Sequence, residues 1–304
     1  AALQLKNYDE ALKHAAAYLE KFPNHRLAGD VKYVAAESHL LKKQYAEAEK
    51  LYVDLTTNHA QHADLEQWQM RLGLAQFLQQ KYKETAATLT PAASTFKSKD
   101  NIAEAQFYIG SSQYRLGDYD AAAAALNASY EANPKWSRSD EVLLDLARTQ
   151  QKQNKLKEAI ATVNKALADF PNSKLFDRAQ FQLAQYSFDT SDFKTAAASY
   201  GEVVEKYPDS ICVPHALYGK GWSQQRLDGN KAAIETFTAL IDGHPDHRLT
   251  PSAINGRGIS RQRTGDYAGG IADFTTYLEK NPESEDRSDV RYNLGLCQAG
   301  AKKY

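Results

Sequence analysis

The chain has 304 residues, with 37 Lys and Arg against 38 Asp and Glu, a net charge of −1. That balance excludes the basic surplus of a nucleic-acid binder, and no apolar run approaches the roughly 18 residues that cross a bilayer. Two cysteines, Cys212 and Cys297, cannot build a disulfide framework or a zinc site by themselves. Nine prolines and sixteen glycines are few for an all-β chain. Alanine, the best helix former, recurs in runs such as residues 121–125 and 196–198. The composition predicts an all-α protein.

In chain order, the first predicted element is a lone helix over residues 1–22. Seven helix pairs follow, over residues 27–60, 64–97, 101–134, 138–171, 175–208, 212–245 and 249–282. A lone helix over 285–304 closes the chain. The boundaries come from a 37-residue period. Its anchor is Tyr8, Tyr45, Tyr82, Tyr119, Leu156, Phe193, Asn230, Tyr267 and Tyr304. Three residues after each anchor stands a small residue, such as Ala48, Ala122, Ala159, Ala196 and Ala233. Fifteen after it comes proline, at Pro23, Pro134, Pro171, Pro208, Pro245 and Pro282. Nine before the next anchor lies a second small residue, as at Ala36, Gly73, Gly110, Ala147, Ala184, Gly221 and Gly258. Four positions hold one phase along the chain.

Each unit reads as two helices. In the clearest, Ile102 to Leu116 is the first, Gly117 ends it, Asp118 caps the second, and Asn133-Pro134 stops that one. The small residues are where two helices can cross closely. The unit at 64–97 is the most degenerate, with Thr85 and Lys97 off pattern and Pro91 inside its second helix, which predicts a kink. The lone end helices predict that the chain is a piece of a longer array, since each leaves a stacking face for something else to cover.

This pattern resembles the tetratricopeptide repeat family, whose motif is met by Ile109-Gly110, Ala122, Leu126 and Pro134. The resemblance covers the whole chain and implies a right-handed superhelical solenoid of helix-turn-helix repeats. The period is 37 rather than 34, and the longer linker resembles repeats of bacterial envelope proteins such as the Tol-Pal coordinator and outer-membrane assembly lipoproteins. That likeness implies a periplasmic or envelope location. The family tyrosine late in the first helix is usually glutamine here, at Gln76, Gln113, Gln150, Gln224 and Gln298. These could form a buried hydrogen-bonding ladder or face the groove.

The resemblance further implies a non-catalytic interaction scaffold that binds a peptide or partner protein on the concave side lined by first helices. An architectural role, with self-association through the end helices, is the alternative. Two apolar stripes on the first helices, one through Trp68 and Leu72 and the other through Phe107 and Phe181, predict core packing on both sides. The strip between them carries the expected groove residues: Arg115, Arg148, Lys152, Trp222, Arg226 and Arg263. Arg115, Lys152, Arg226 and Arg263 share one phase. Gly219 lies one turn before Trp222, which predicts open space beside the indole. Aromatics and arginines are the types most enriched at binding hot spots. The family's clamp for a C-terminal carboxylate is missing, because its lysine phase holds Tyr33, Met70 and Phe107 and its asparagine phase holds Glu37, Leu74 and Ser111.

No catalytic constellation emerges. His59 and His62, like His244 and His247, have metal-pair spacing, and His25 shares their linker phase. Polar linkers favour histidine, however, and no metal or cofactor is expected. Gly219-Lys220-Gly221 and Gly256-Arg257-Gly258 lack the spacing of a phosphate loop and fall inside helices.

Overall fold

The computed structural model describes residues 7–301. Tyr304 and the first six residues of the N-terminal half repeat lie outside the described residues. Among the described residues there are sixteen helices and no strands. The chain forms an all-α helical-repeat solenoid, divided into two compact units, residues 1–155 and 156–304.

The first unit contains α1 (Tyr8–Lys21), α2 (Ala28–Leu41), α3 (Tyr45–Asn58), α4 (Leu65–Leu78), α5 (Tyr82–Ala93), α6 (Lys99–Leu116), α7 (Tyr119–Ala132) and α8 (Ser139–Lys152). The second contains α9 (Leu156–Asp169), α10 (Phe176–Asp189), α11 (Phe193–Lys206), α12 (Val213–Arg226), α13 (Asn230–Gly243), α14 (Thr250–Thr264), α15 (Tyr267–Lys280) and α16 (Arg287–Ala301). Within each unit every helix packs on the next in sequence. The odd-numbered helices open at the anchor residues, from Tyr8 to Tyr267.

The turns between helices repeat as strictly as the helices do. Between the first and second helix of each pair, one residue takes left-handed backbone: Lys43, Gln80, Gly117, Asn154, Ser191, Asp228 and Gly265. Only Gly117 and Gly265 do so without a side-chain penalty. The next residue caps the second helix. Asn7, Asp118, Asp192 and Asp266 each accept the N–H three residues on, whereas Gln44, Lys81 and Gly229 make no side-chain cap.

The small residues mark the helix crossings. A β-carbon on Gly73 would lie 2.4 Å from Leu89, one on Gly110 2.7 Å from Leu126, and one on Gly258 2.8 Å from the Phe274 ring. Ala48, Ala122, Ala159, Ala196 and Ala233 are fully buried at the other small-residue phase. Trp68, Tyr52, Leu89 and Leu126 fill the core of the first unit, and Phe237, Leu240 and Phe274 that of the second.

The degenerate repeat is repaired locally. Pro91 lies inside α5, which spans 12 residues where α3 and α7 span 14. Where proline would turn the chain, the Lys97 and Ser98 N–H groups each donate to the Glu66 carboxylate at 3.0 Å, joined by Asn101 at 2.9 Å. Burial opposes ionisation of Glu66, yet these bonds hold its carboxyl below the usual range. Ser98 caps α6, so that helix starts at Lys99 rather than the expected Ile102. Helix α6 also packs directly on α4.

Candidate functional site

The six residues expected to line the groove lie on first helices, and the strip's charged groups are partly paired and partly free of ion pairs among the described residues. In the first unit Arg71, Arg138 and Arg148 are paired with neighbouring carboxylates. Arg71 Nε lies 3.2 Å from the Glu37 carboxylate, which also accepts the Tyr52 hydroxyl at 2.5 Å. Arg138 donates to Glu141 at 2.8 Å and to Tyr108 at 3.1 Å, with its guanidinium 4.3 Å above the Phe107 ring. Arg148 donates to Asp145 at 2.9 Å. Glu104 lies in the field of Arg71 and Arg138 and makes no hydrogen bond among the described residues. Burial pushes its carboxyl up, against the pull of the two arginines. Burial likewise raises Asp145, against Arg148.

Arg115, Lys152, Arg226 and Arg263 are exposed. None of the four forms an ion pair among the described residues; Arg226 lies 5.8 Å over the Phe193 ring. Each stands in or near the last turn of a first helix, where a cation also complements the helix dipole.

Trp222 is half-buried. Its indole lies 5.8 Å from Phe237 and 6.1 Å from Tyr218, and its ring N–H is buried without a hydrogen-bond partner. The open space expected beside it is filled: a β-carbon on Gly219 would lie 2.4 Å from the Tyr200 ring. Glycine there admits a tyrosine from α11, and burial raises the pKa of that phenol. Two of the glutamines at the shared phase bond to second-helix side chains and not to each other. Gln76 donates to Glu49 at 3.3 Å, while Gln224 accepts the Thr236 hydroxyl at 2.8 Å.

The linker histidines have a structural job. Nδ1 of His25, His62 and His247 accepts the N–H two residues on, at 3.3, 3.1 and 3.2 Å. At the same phase the Ser173 and Ser210 hydroxyls do likewise. An acceptor that closes the turn is what this position requires. Asp30, His62 and Asp64 bring potential ligand atoms within 4.8 Å of one another. Nδ1 of His62 is committed to the turn, which leaves its proton on Nε2, 3.6 Å from Asp30. The His62–Asp30 contact is longer than a hydrogen bond, and Nδ1 of His62 is engaged by the Asp64 N–H. His25 instead meets the Tyr18 hydroxyl at 2.7 Å, so the three N-terminal linker histidines do not converge.

Sequence reading missed one cluster in the second unit. Arg248 donates to Nε2 of His215 at 3.1 Å, and the His215 and His247 rings meet edge to face at 5.0 Å. Burial lowers the His215 pKa, and His247 and Arg248 lower it further. The available signal was phase: His215 lies 37 residues after Arg178 on the strip.

Three profiles of the Tetratricopeptide repeat match, over residues 1–63 and 70–135, 113–184, and 178–210 and 215–247. The chain belongs to the tetratricopeptide repeat superfamily. Among solved structures, the tetratricopeptide fold is similar to the C-terminal part of a TPR repeat-containing protein from Cytophaga hutchinsonii. The TM-score is 0.69 at 14% identity, covering 85% of this chain and 98% of that one. A tetratricopeptide repeat protein from Parabacteroides merdae matches with TM-score 0.56 and 15% identity, covering 89% and 98%. YrrB, described as a TPR protein with an unusual peptide-binding site, matches with TM-score 0.54 and 17% identity, covering 66% and 96%. No curated protein sequence matches significantly. At these identities the structures speak to the tetratricopeptide fold alone.

Proposed function

We propose that this tetratricopeptide array is a non-catalytic scaffold whose first-helix strip forms a concave groove for a peptide or partner protein. One observation carries the reading: Arg115, Lys152, Arg226 and Arg263 are exposed, share a phase and have no ion-pair partner among the described residues. An unpaired guanidinium beside aromatic side chains offers both charge and area to an incoming chain. Trp222 and its buried, unpartnered N–H lie one turn from Arg226.

The test is cross-linking capture from the native host, comparing the wild type with Arg226→Glu/Arg263→Glu. Both side chains are exposed, so helicity is retained. A partner captured by the wild type and lost by the variant supports the groove. Equal capture overturns it and moves the site to another face. A second reading, self-association through α16, draws on Tyr292 and Leu296, which are 68% and 43% exposed. Concentration-dependent mass would favour that reading, whereas a monomer with a saturable site would favour docking.

A further inference from the structure

The cluster of His215, His247 and Arg248 differs from every other charged group on the first-helix strip. Its members meet one another, and none of them forms an ion pair with a carboxylate among the described residues. His215 is half-buried in the first turn of α12, while His247 and Arg248 come from the linker leading into α14. The Arg248 guanidinium donates to the only acceptor His215 offers there, so two potential cations share one bond. The charges acting on His215 are His247 and Arg248, both repulsive to its protonated form. From α10, Asp177 and then the exposed Arg178 both act on the Cys212 thiol at the head of α12, and Asp177 is already engaged by the Ser210 hydroxyl at 2.5 Å.

The helix ends reinforce this. Helices α2, α4, α6, α8, α10 and α16 each carry an acidic residue in the first turn, such as Asp30, Glu66, Asp100, Asp140, Asp177 and Asp289. Helices α12 and α14 carry none. At α12 the nearest acid comes from another helix, Asp177 of α10, and not from the first turn itself. The cluster is not a by-product of a basic chain, since the net charge is −1. In the first unit, strip arginines Arg71 and Arg148 each have a carboxylate, as does Arg138 at the head of α8, whereas Arg115 has none.

From this we infer that the second unit's strip, centred on His215 and Arg248, takes an acidic segment of a partner polypeptide. A carboxylate side chain there would accept from the Arg248 guanidinium and from an imidazolium at His215. The inference rests on the groove reading and names the chemistry of its occupant. The positions differ from those of the family's carboxylate clamp. Since protonation turns His215 from an acceptor into a donor, binding tightens as pH falls through the imidazole range.

The test uses three short fluorescein-labelled peptides, alternating Ala with Glu, Lys or Asn, titrated by anisotropy into the whole chain. The Glu peptide is expected to bind, and more tightly at about pH 5.5 than at about pH 7.5. Arg248→Gln, at an exposed residue, should weaken it about tenfold, the loss of one charge-assisted bond. His215→Gln should abolish the pH dependence. Equal binding of Glu and Lys peptides, or a Glu peptide indifferent to Arg248→Gln, overturns the inference. Binding of the Lys or Asn peptide instead, lost in Arg226→Glu/Arg263→Glu, overturns it while leaving the groove intact. If no peptide binds, the inference falls, and partner capture decides the groove by itself.

Discussion

A β-carbon on Gly221 would lie 2.6 Å from the Phe237 ring, so α12 and α13 cross where only a hydrogen fits. Phe237 is fully buried and also fills the space above Gly256, where a β-carbon would come within 2.8 Å. One ring thereby joins α12, α13 and α14. Phe237→Ala should lower stability by about 3–5 kcal/mol by opening a cavity. Gly221→Ala should cost about 1–3 kcal/mol by overpacking. Urea midpoints measure both. A loss below about 1 kcal/mol for Phe237→Ala would mean that the crossing is not set by this ring.

The left-handed turn residues make a prediction of opposite sign. Lys43, Gln80 and Ser191 adopt φ of 61°, 62° and 64° at the position where Gly117 and Gly265 stand in their own repeats. A non-glycine residue there carries roughly 1–2 kcal/mol of strain, partly offset by the freedom glycine adds to the unfolded chain. Gln80→Gly should raise the urea midpoint by up to about 1 kcal/mol of stability, and Gly117→Ala should lower it by a similar amount. No change in either would show that these turns absorb the strain elsewhere.

Much of this architecture is legible in the sequence because repetition amplifies weak signals. The anchor, the two small residues and the proline each have a steric reason that recurs every 37 residues. The helix bounds at Gly117, Asp118 and Asn133 follow directly from them. What periodicity hides is whatever one repeat does alone. Glu66 holding the proline-free linker depends on a carboxylate meeting backbone 31 residues away. Tyr200 filling the gap at Gly219 depends on which neighbour is large where glycine is small. The histidine cluster escaped notice for the same reason: Arg248 lies 33 residues from His215, off the repeat phase. The linker histidines show the converse, a repeated position that serves the turn: His62 and His247 each accept the N–H two residues on.

Asp273 is 4% exposed and held by two arginines, accepting from Arg257 at 2.7 and 3.1 Å and from Arg261 at 2.8 Å. Removing the carboxylate from α15 leaves two guanidinium groups, one turn apart on α14, without their shared acceptor. Asp273→Ala should cost about 3–5 kcal/mol, and restoring balance with Asp273→Ala/Arg257→Met should recover part of it. A double-mutant cycle on urea midpoints gives the coupling. Additive losses would mean that the two side chains are energetically independent.

Two carboxylates on the first unit's strip should respond oppositely to neutralisation. Glu37 is 8% exposed and accepts from Tyr52 with Arg71 alongside. Glu37→Gln should therefore destabilise by about 2 kcal/mol or more at neutral pH. Glu104 has no such bond, and burial pushes its carboxyl above the usual range. A raised folded-state pKa means that the favourable contribution is present below the ordinary glutamate value of about 4.3 and is lost as pH rises through the folded value. At pH about 7 the ionised Glu104 is then a cost, discounted by its partial exposure, and Glu104→Gln should gain a fraction of 1 kcal/mol. The gain should vanish below about pH 4, where both side chains are neutral. Urea midpoints across that range test the sign, and a Glu104→Gln variant less stable than wild type at neutral pH would show that Arg71 and Arg138 outweigh burial.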